Sequence, residues 1–468
     1  MPTAAVLRKP SLETPLAAAG VLAAQAQDEA AKRAYLDILR LDPTCLEALL
    51  ELARLAQRSG HRSAARTAYL QAIHCHPSAA AARVNLGGLL IETGEFAEAE
   101  TQFLAALAAE PDLAPAHQGL ARVLTAMGQG ERAQPHWTAG FARGWLAPQP
   151  YRGLGAGVPM LLLVSARGGN IPTRALLDDT VFAVTAVYAE HHDAAQPLPP
   201  HAAIFNAIGD ADLCGEALAK AVEIVARSSA PVVNPPAAVA ATTRAAVARR
   251  LAEIPGLVAP EIRPMARAEL LAADDLTFPR LVRAPGFHTG QHFVRVERRA
   301  DLAAAIAGLP GDDLLAIAPL DAGGADGLAR KYRVMLIGGE LYPMHLAISA
   351  HWKVHYFSAA MADSAEHRAE EAAFLADMPA VLGPAAMSAL GAIGAALGLD
   401  YAGIDFGLAP DGRLLLFEAN PGMVIQPPGP EPIWDYRRAP IARALEAVKA
   451  LLLARSGQIL PSPKNPPT

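Results

Sequence analysis

The feature that most constrains this chain is a period. Shifted by 34 residues against itself, the N-terminal third aligns four columns: Pro43, Pro77 and Pro111; Gly60, Gly94 and Gly128; Ala31, Ala65, Ala99 and Ala133; and the aromatics Tyr35, Tyr69, Phe103 and Trp137. Between the columns, Leu46, Leu49, Leu50 and Ala53 follow the i, i+3, i+4, i+7 spacing of one apolar helix face. A single helix pair cannot bury such a face, so consecutive pairs must stack. Alanine lets the paired helices approach, glycine makes the turn, and proline stops the second helix.

These columns resemble tetratricopeptide (TPR) repeats. The resemblance implies an all-α solenoid over residues 22–147, presenting a groove to a peptide or protein partner. Simple assembly of copies is the alternative use of such an array.

The remaining chain needs other cores. At roughly 100 to 200 residues per domain the 468 residues suggest about three domains. A formal charge of -6 and a pI near 6.2 offer no basic excess for a phosphate backbone, so nucleic acid is not the expected partner. Cys45, Cys75 and Cys214 are far apart and form no C-x-x-C pair, which fits a reducing, cytoplasmic compartment. Arg8 and Lys9 followed by the Ala-rich stretch Pro15 to Ala26 look like a secretory signal, but Glu13 interrupts the pattern. The uncharged span between Asp377 and Asp400 is long enough to cross a bilayer; with Pro379 and Pro384 inside it, it reads as a buried Ala/Gly-rich helix, and no membrane partner is expected.

After the Pro/Gly-rich junction Pro148 to Pro159, the apolar run Met160 to Val164 reads as a buried strand. A helix from Pro172 to Glu190, a strand at Ala202 to Asn206, a helix from Leu213 to Ser228 and a short strand at Val232 and Val233 complete the expectation. The alternation implies a small α/β domain over 157–240 with a parallel sheet. Asn206, Asp210 and Asn234 follow strand ends, where such sheets bind ligands and where turns also favour Asn and Asp. His191, His192 and Asp193 offer metal-binding types, with an exposed polar loop the plainer reading.

The most informative segment is Asp400 to Met423, DYAGIDFGLAPDGRLLLFEANPGM. Two apolar runs, Tyr401 to Leu408 and Arg413 to Ala419, flank a turn at Ala409 to Gly412. With simple closure Asp405 faces Leu416, and Glu418 and Asn420 share a sheet face by the period of two. Two carboxylates inside runs of Ile, Phe and Leu are costly to bury without a partner. Grouped hard oxygens suit Mg²⁺.

D-F-G, a DG turn and F-E-A-N-P together resemble the terminal metal-binding motif of ATP-grasp ligases, such as glutathione synthetase and the ligases that add glutamate to a ribosomal protein. The resemblance covers roughly Pro159 to Leu453. It implies an α/β pre-ATP-grasp domain and an α+β ATP-grasp domain over 241–456; residues 457–468 read as a Pro-rich tail. Asp405, Glu418 and Asn420 would hold Mg²⁺ (or Mn²⁺) between ATP phosphates. Phe278 to Val296 matches the family's strand, flexible loop and strand, with Gly286, His288, Thr289 and Gly290 over the phosphates. Where the family places lysines, at the domain's first strand and before the loop, the chain has Arg244 and Arg283. A hinge glutamate expected after Leu314 to Leu320 is replaced by Ala318 or Pro319. Lys331 to Gly339 with Glu340 to Tyr342 reads as a Gly-Gly hairpin carrying Arg333 toward the transferred phosphate. His345 to Tyr356 alternates so as to aim Lys353 and His355 to one side, with Lys353 resembling the cation of phosphoryl transfer and the histidines read as structural.

The activity so implied is an ATP- and Mg²⁺-dependent carboxylate-amine ligase working through an acylphosphate, on a peptide or protein brought by the repeats. A small-molecule ligase with repeats for assembly, and a catalytically silent scaffold, are the alternatives.

Overall fold

A computed structural model of the chain describes residues 12–25, 27–142, 144–287, 290–354, 356, 359 and 361–458. Its contacts form two compact units: one takes the chain up to Trp145 with Pro150–Gly157 and Asp179–Val181, the other takes the rest.

The first unit is built on eight helices among the described residues: α1 (Glu13–Ala24), α2 (Asp28–Leu41), α3 (Leu46–Arg58), α4 (Arg62–Cys75), α5 (Ala80–Thr93), α6 (Phe96–Ala109), α7 (Ala114–Ala126) and α8 (Gly130–Phe141). Tyr35, Tyr69, Phe103 and Trp137 are all buried, as is each alanine of the repeating column. A fifth column, Ala19, Ala53, Gly87 and Ala121, lies sixteen residues before each aromatic and is buried throughout, with Ala19 in one core cluster with Tyr35 and Gly87 against Phe103. Phe103 is the tightest case: a Cβ on Gly87 would lie 2.7 Å from its ring, and one on Gly119 only 2.2 Å from it. Gly60, Gly94 and Gly128 end the first helix of a pair at φ of 80, 78 and 74°, where a side chain is strained.

The array starts at Glu13, earlier than the residue 22 expected. Most of the stretch that looked like a signal forms α1, whose Ala19 packs with Tyr35 and Ile38. Arg8, Lys9 and Ala26 lie outside the described residues. Beyond α8, Arg152 grips Asp179 through two bonds of 2.9 Å and donates to Asp28 at 3.2 Å, tying Pro150–Gly157 to the first pair.

The second unit is mixed α/β. Its first sheet comprises β1 (Leu146–Pro148), β2 (Val158–Val164), β3 (Phe182–Tyr188), β4 (Ala203–Asn206) and β5 (Val232–Val233), ordered β1-β3-β2-β4-β5. All pairs are parallel except β1 with β3. Helix α9 (Gly215–Val225) connects β4 to β5. The helix expected from Pro172 to Glu190 does not form; β3 occupies its second half. Phe-Ala-Val-Thr-Ala-Val-Tyr is β-branched and aromatic, and a strand beside β2 buries it better than a helix would.

A second sheet, ordered β7-β10-β8-β9, is antiparallel throughout: β7 (Ile262–Ala266), β8 (Arg280–Arg283), β9 (Phe293–Val296) and β10 (Asp313–Ile317). It is preceded by α10 (Pro236–Ala240), α11 (Arg244–Leu251) and β6 (Leu257–Val258), and carries α12 (Arg267–Ala272) and α13 (Leu302–Ile306). The third sheet, ordered β12-β11-β13-β14-β6, adds β11 (Ala329–Ile337), β12 (Glu340–Ser349), β13 (Tyr401–Leu408) and β14 (Leu414–Asn420). Helices α14 (Ala365–Ala376), α15 (Met378–Leu397) and α16 (Asp435–Arg455) complete the unit.

Apart from Gly157 and Asp179–Val181, the regions 157–240 and 241–456 both fall in the second compact unit. In α15, Gly383 breaks the helix at φ 77° and ψ 168°. The unbroken piece Pro384 to Leu397 is about 21 Å long, short of the ~30 Å of a bilayer core. It buries Ala386, Ala389, Leu390 and Ile393 in the unit. Of the tail at 457–468, only Gly457 and Gln458 are among the described residues.

Candidate functional site

Register places four polar side chains in one row across the third sheet. Arg333 of β11 pairs with His345 of β12 on one side and Asp405 of β13 on the other, and Asp405 pairs with Glu418 of β14. Directly opposed residues share a face. Asp405 was expected to face Leu416; instead a bulge inserts Phe417 between the pairs Phe406–Leu416 and Asp405–Glu418. One extra residue re-aims Glu418, and the two carboxylates stand side by side.

At the Asp405 end, Arg333 donates to Oδ1 through Nε at 2.6 Å and to Oδ2 through Nη2 at 2.8 Å, and Lys331 Nζ donates to Oδ2 at 3.0 Å. Burial opposes the Asp405 charge, but Arg333 and Lys331 outweigh it and hold the carboxyl well below the usual range. At the other end Arg244 Nη2 and Asn420 Nδ2 both donate to Glu418 Oε1, each at 2.5 Å. Burial again opposes ionisation, and Arg244 with Arg283 lowers the Glu418 pKa regardless. Asn420 Oδ1 accepts from Gly422 N–H at 2.9 Å.

Arg244, expected on a strand, instead opens α11 behind the Thr243 cap. Its N–H donates to Asp212 Oδ2 at 3.1 Å, so the loop after β4 joins the site. Asp210 shapes that loop, its Oδ1 accepting from Asp212 and Leu213 N–H at 3.0 Å each. Burial raises the Asp212 pKa. The approach is backbone on backbone: a Cβ on Gly209 would lie 2.9 Å from Gly422 Cα. Asn234, in contrast, is a clasp. At φ 56° it bonds Tyr401 N–H and C=O, at 2.8 Å each. Asn206 is fully buried with its Oδ1 on Ile208 N–H and its Nδ2 unpartnered.

Arg283 ends β8 and turns back to donate to Phe287 C=O, its guanidinium 5.7 Å from the centre of the Phe293 ring. Burial and the Arg244 charge push its pKa down to about 10. Gly286 and Gly290 hold φ of 76 and 73°; His288 and Thr289 between them lie outside the described residues. Strand β12 stops at Ser349, so Lys353 sits in a bend rather than on the expected alternating strand. Its Nζ donates to Phe293 C=O at 3.3 Å, and a Cβ on Gly290 would lie 2.5 Å from its Cε. Lys353 therefore braces the loop instead of meeting the carboxylates; His355 lies outside the described residues. The Ala318–Pro319 hinge positions immediately follow β10.

Arg244, Arg333, Asp405, Glu418 and Asn420 thus come together, with Arg283 near enough to act on Glu418. Sequence reasoning missed Lys331, Asp212 and the place of His345 in the row. The i, i+2 spacing of Lys331 and Arg333 on a strand was the available signal for the first. Burial, then the Arg333 charge, drives the His345 pKa well below its ordinary value, and its Nε2 has no partner. Among the described residues no group of three or more His, Cys, Asp or Glu side chains is placed to hold a metal. His192 accepts from Arg227 at 2.9 Å, and Asp193 accepts from Ala195 N–H, also at 2.9 Å.

The hard oxygens of the row differ in how closely cations hold them. Arg244 and Asn420 both address Oε1 of Glu418, which leaves Oε2, and the Asn420 carbonyl keeps a second lone pair. Both oxygens of Asp405 are taken by cations. Of the donors expected to hold Mg²⁺, Glu418 Oε2 and the Asn420 carbonyl are the ones that would fit an ion without a cation bonded to the same oxygen.

A family model described as tetratricopeptide repeat matches residues 50–114. The first unit is a TPR-type array. Among solved structures, "Crystal structure of MamA" is 22% identical over 26% of this chain and 72% of its own, with a TM-score of 0.25. "MamA 41-end from Desulfovibrio magneticus RS-1" is 17% identical over 27% and 72%, with a TM-score of 0.26. No curated protein matches the chain.

Proposed function

We propose that the second unit is an ATP- and Mg²⁺-dependent ligase of the ATP-grasp type, joining a carboxylate to an amine through an acylphosphate. The observation that carries this reading is the row Arg333–Asp405–Glu418 with Lys331, Arg244 and Asn420: cations and hard oxygens collected on one face of a sheet. Phosphoryl transfer asks a protein mainly for positioning and charge stabilisation, and both are supplied there. Glu418 and Asn420 would hold Mg²⁺ or Mn²⁺, which when bound neutralises charge on the ATP phosphates. Arg333 and Lys331 bind the γ-phosphate as the acid's carboxylate attacks it and ADP leaves. Arg283 anchors the loop of Gly286 and Gly290, which excludes water. The amine then attacks the acyl carbon, loses a proton and displaces phosphate. The TPR-type array suits recruitment of a peptide or protein that carries the acid or the amine.

A catalytically silent scaffold is the second reading. It draws on the pairing of Lys353 with the loop and on the missing hinge glutamate. Calorimetry with Mg-ATP tests the ligase reading, and absence of binding favours the scaffold. The ligase reading expects micromolar binding that needs Mg²⁺ and weakens at least tenfold (~1.4 kcal/mol) in Glu418→Gln. Absence of binding in the unaltered chain sinks it.

A further inference from the structure

We infer that Asp405 is not a metal ligand but the buried anchor of a phosphate-binding pair, Lys331 and Arg333, so that a single divalent ion is confined to Glu418 and Asn420. The inference rests on the ligase reading of this site and assigns Lys331 a role that the sequence motif does not.

The two ends of the row are built in opposite order. At one end the Asp405 side chain is only 3% exposed, while its partners Lys331 and Arg333 keep 14% and 22% of theirs. The carboxylate lies beneath its cations, and what faces outward is positive. At the other end Glu418 is 21% exposed and its partner Arg244 is 14% exposed. There the carboxylate is the outer group.

Charge and bonding capacity agree with that order. One carboxylate against two cations leaves the Asp405 end net positive, which repels a divalent ion and attracts phosphate oxygen. Three N–H donors from two cations take about three of the four lone-pair sites of the Asp405 carboxylate, and both of its oxygens have a cation bound. An ammonium has three donors and a guanidinium five, so the pair keeps N–H groups in excess of those spent on Asp405. Held on a carboxylate, these two long side chains lose rotamer freedom before the phosphate arrives, which lowers the entropic cost of binding it. A metal ligand role for Asp405 would instead set a divalent ion against Lys331 and Arg333 at a buried group, or require those cations to leave it.

The test is a Mn²⁺ titration of the full chain followed by electron paramagnetic resonance, with the β,γ-imido analogue of ATP as probe. We expect one tightly held Mn²⁺ per chain in its presence. Asp405→Asn keeps that stoichiometry while weakening the analogue about tenfold, Lys331→Met does the same, and Glu418→Gln loses the ion. Two Mn²⁺ per chain, or loss of Mn²⁺ in Asp405→Asn with the analogue still bound, overturns the inference. If Asp405→Asn does not fold, the stoichiometry of the unaltered chain and the Lys331→Met affinity still decide. Failure of the unaltered chain to bind the analogue with or without Mn²⁺ is a different result: it removes the ligase reading, and this assignment with it.

Discussion

The helical array and the α/β unit solve the same problem, burying a face that one element cannot bury alone, at different ranges along the chain. In the array a small residue recurs sixteen positions before each aromatic, as Gly87 does before the Phe103 ring that lies against it, so the pattern repeats with the period and self-comparison finds it. In the α/β unit Arg244 meets Glu418 and Arg333 meets Asp405 across long stretches of chain, with nothing repeated. Around Phe103 the array leaves no room for a Cβ at Gly87 or Gly119, whereas the row in the sheet is held by paired charges. The first is governed by volume and the second by electrostatics, and substitutions separate them.

The largest effect is expected at Asp405. Asp405→Ala leaves Arg333 and Lys331 without their counter-charge in a largely buried row, a change that costs on the order of 3–5 kcal/mol. Urea denaturation of the purified chain measures it. A cost below 1 kcal/mol means that the row is solvated and that electrostatics does not govern this sheet. Next comes Gly119→Ala in the array, where the added Cβ meets the Phe103 ring and overpacking costs about 1–3 kcal/mol. Phe103→Leu in the same chain should return part of that loss, a coupling read from the double-mutant cycle. Strict additivity of the two changes would show that α7 shifts to make room and that volume is not the limit there.

The same contrast explains what the sequence made legible. Columns of proline, glycine, alanine and aromatic residues located the repeats because each marks a local geometric demand: a helix stop, a left-handed turn, a close crossing, a filled socket. The column at Ala19, Ala53, Gly87 and Ala121 was present in the same period but is silent in composition, since alanine is common everywhere in this stretch. In the α/β unit the hairpin Tyr401–Leu408 and Leu414–Asn420 was visible from its turn, but the bulge at Phe417 was not. A bulge is decided by what the neighbouring strands bury, and it is what sets Glu418 beside Asp405. The segment Phe182–Tyr188 was misread because an apolar run fits a buried helix or a buried strand until its neighbours are known. Lys331 went unassigned for a related reason: an exposed strand lysine and one bonded to a buried carboxylate differ only in what lies across the sheet.

His345 is the place where the electrostatic half of the comparison reaches the pH axis, and the smallest effect is expected there. The ring is buried in the row, faced by Arg333 and Lys331 from β11, Asp405 from β13 and Arg437 from α16, and its folded pKa falls well below the ordinary 6.5. The unfolded chain therefore takes up a proton as the pH drops through about 6.5 while the folded chain does not, so stability declines with falling pH from that point downward. The lowered pKa values of Asp405 and Glu418 have the same sign but act only at more acid pH, as the pH falls through and below the ordinary carboxylate range. His345→Gln should thus flatten the stability profile just below pH 6.5 and leave the carboxylate limb in place, as read from urea midpoints across that interval. An unchanged profile would mean that His345 takes up its proton in the folded state, and that the positive end of the row extends no further than Arg333.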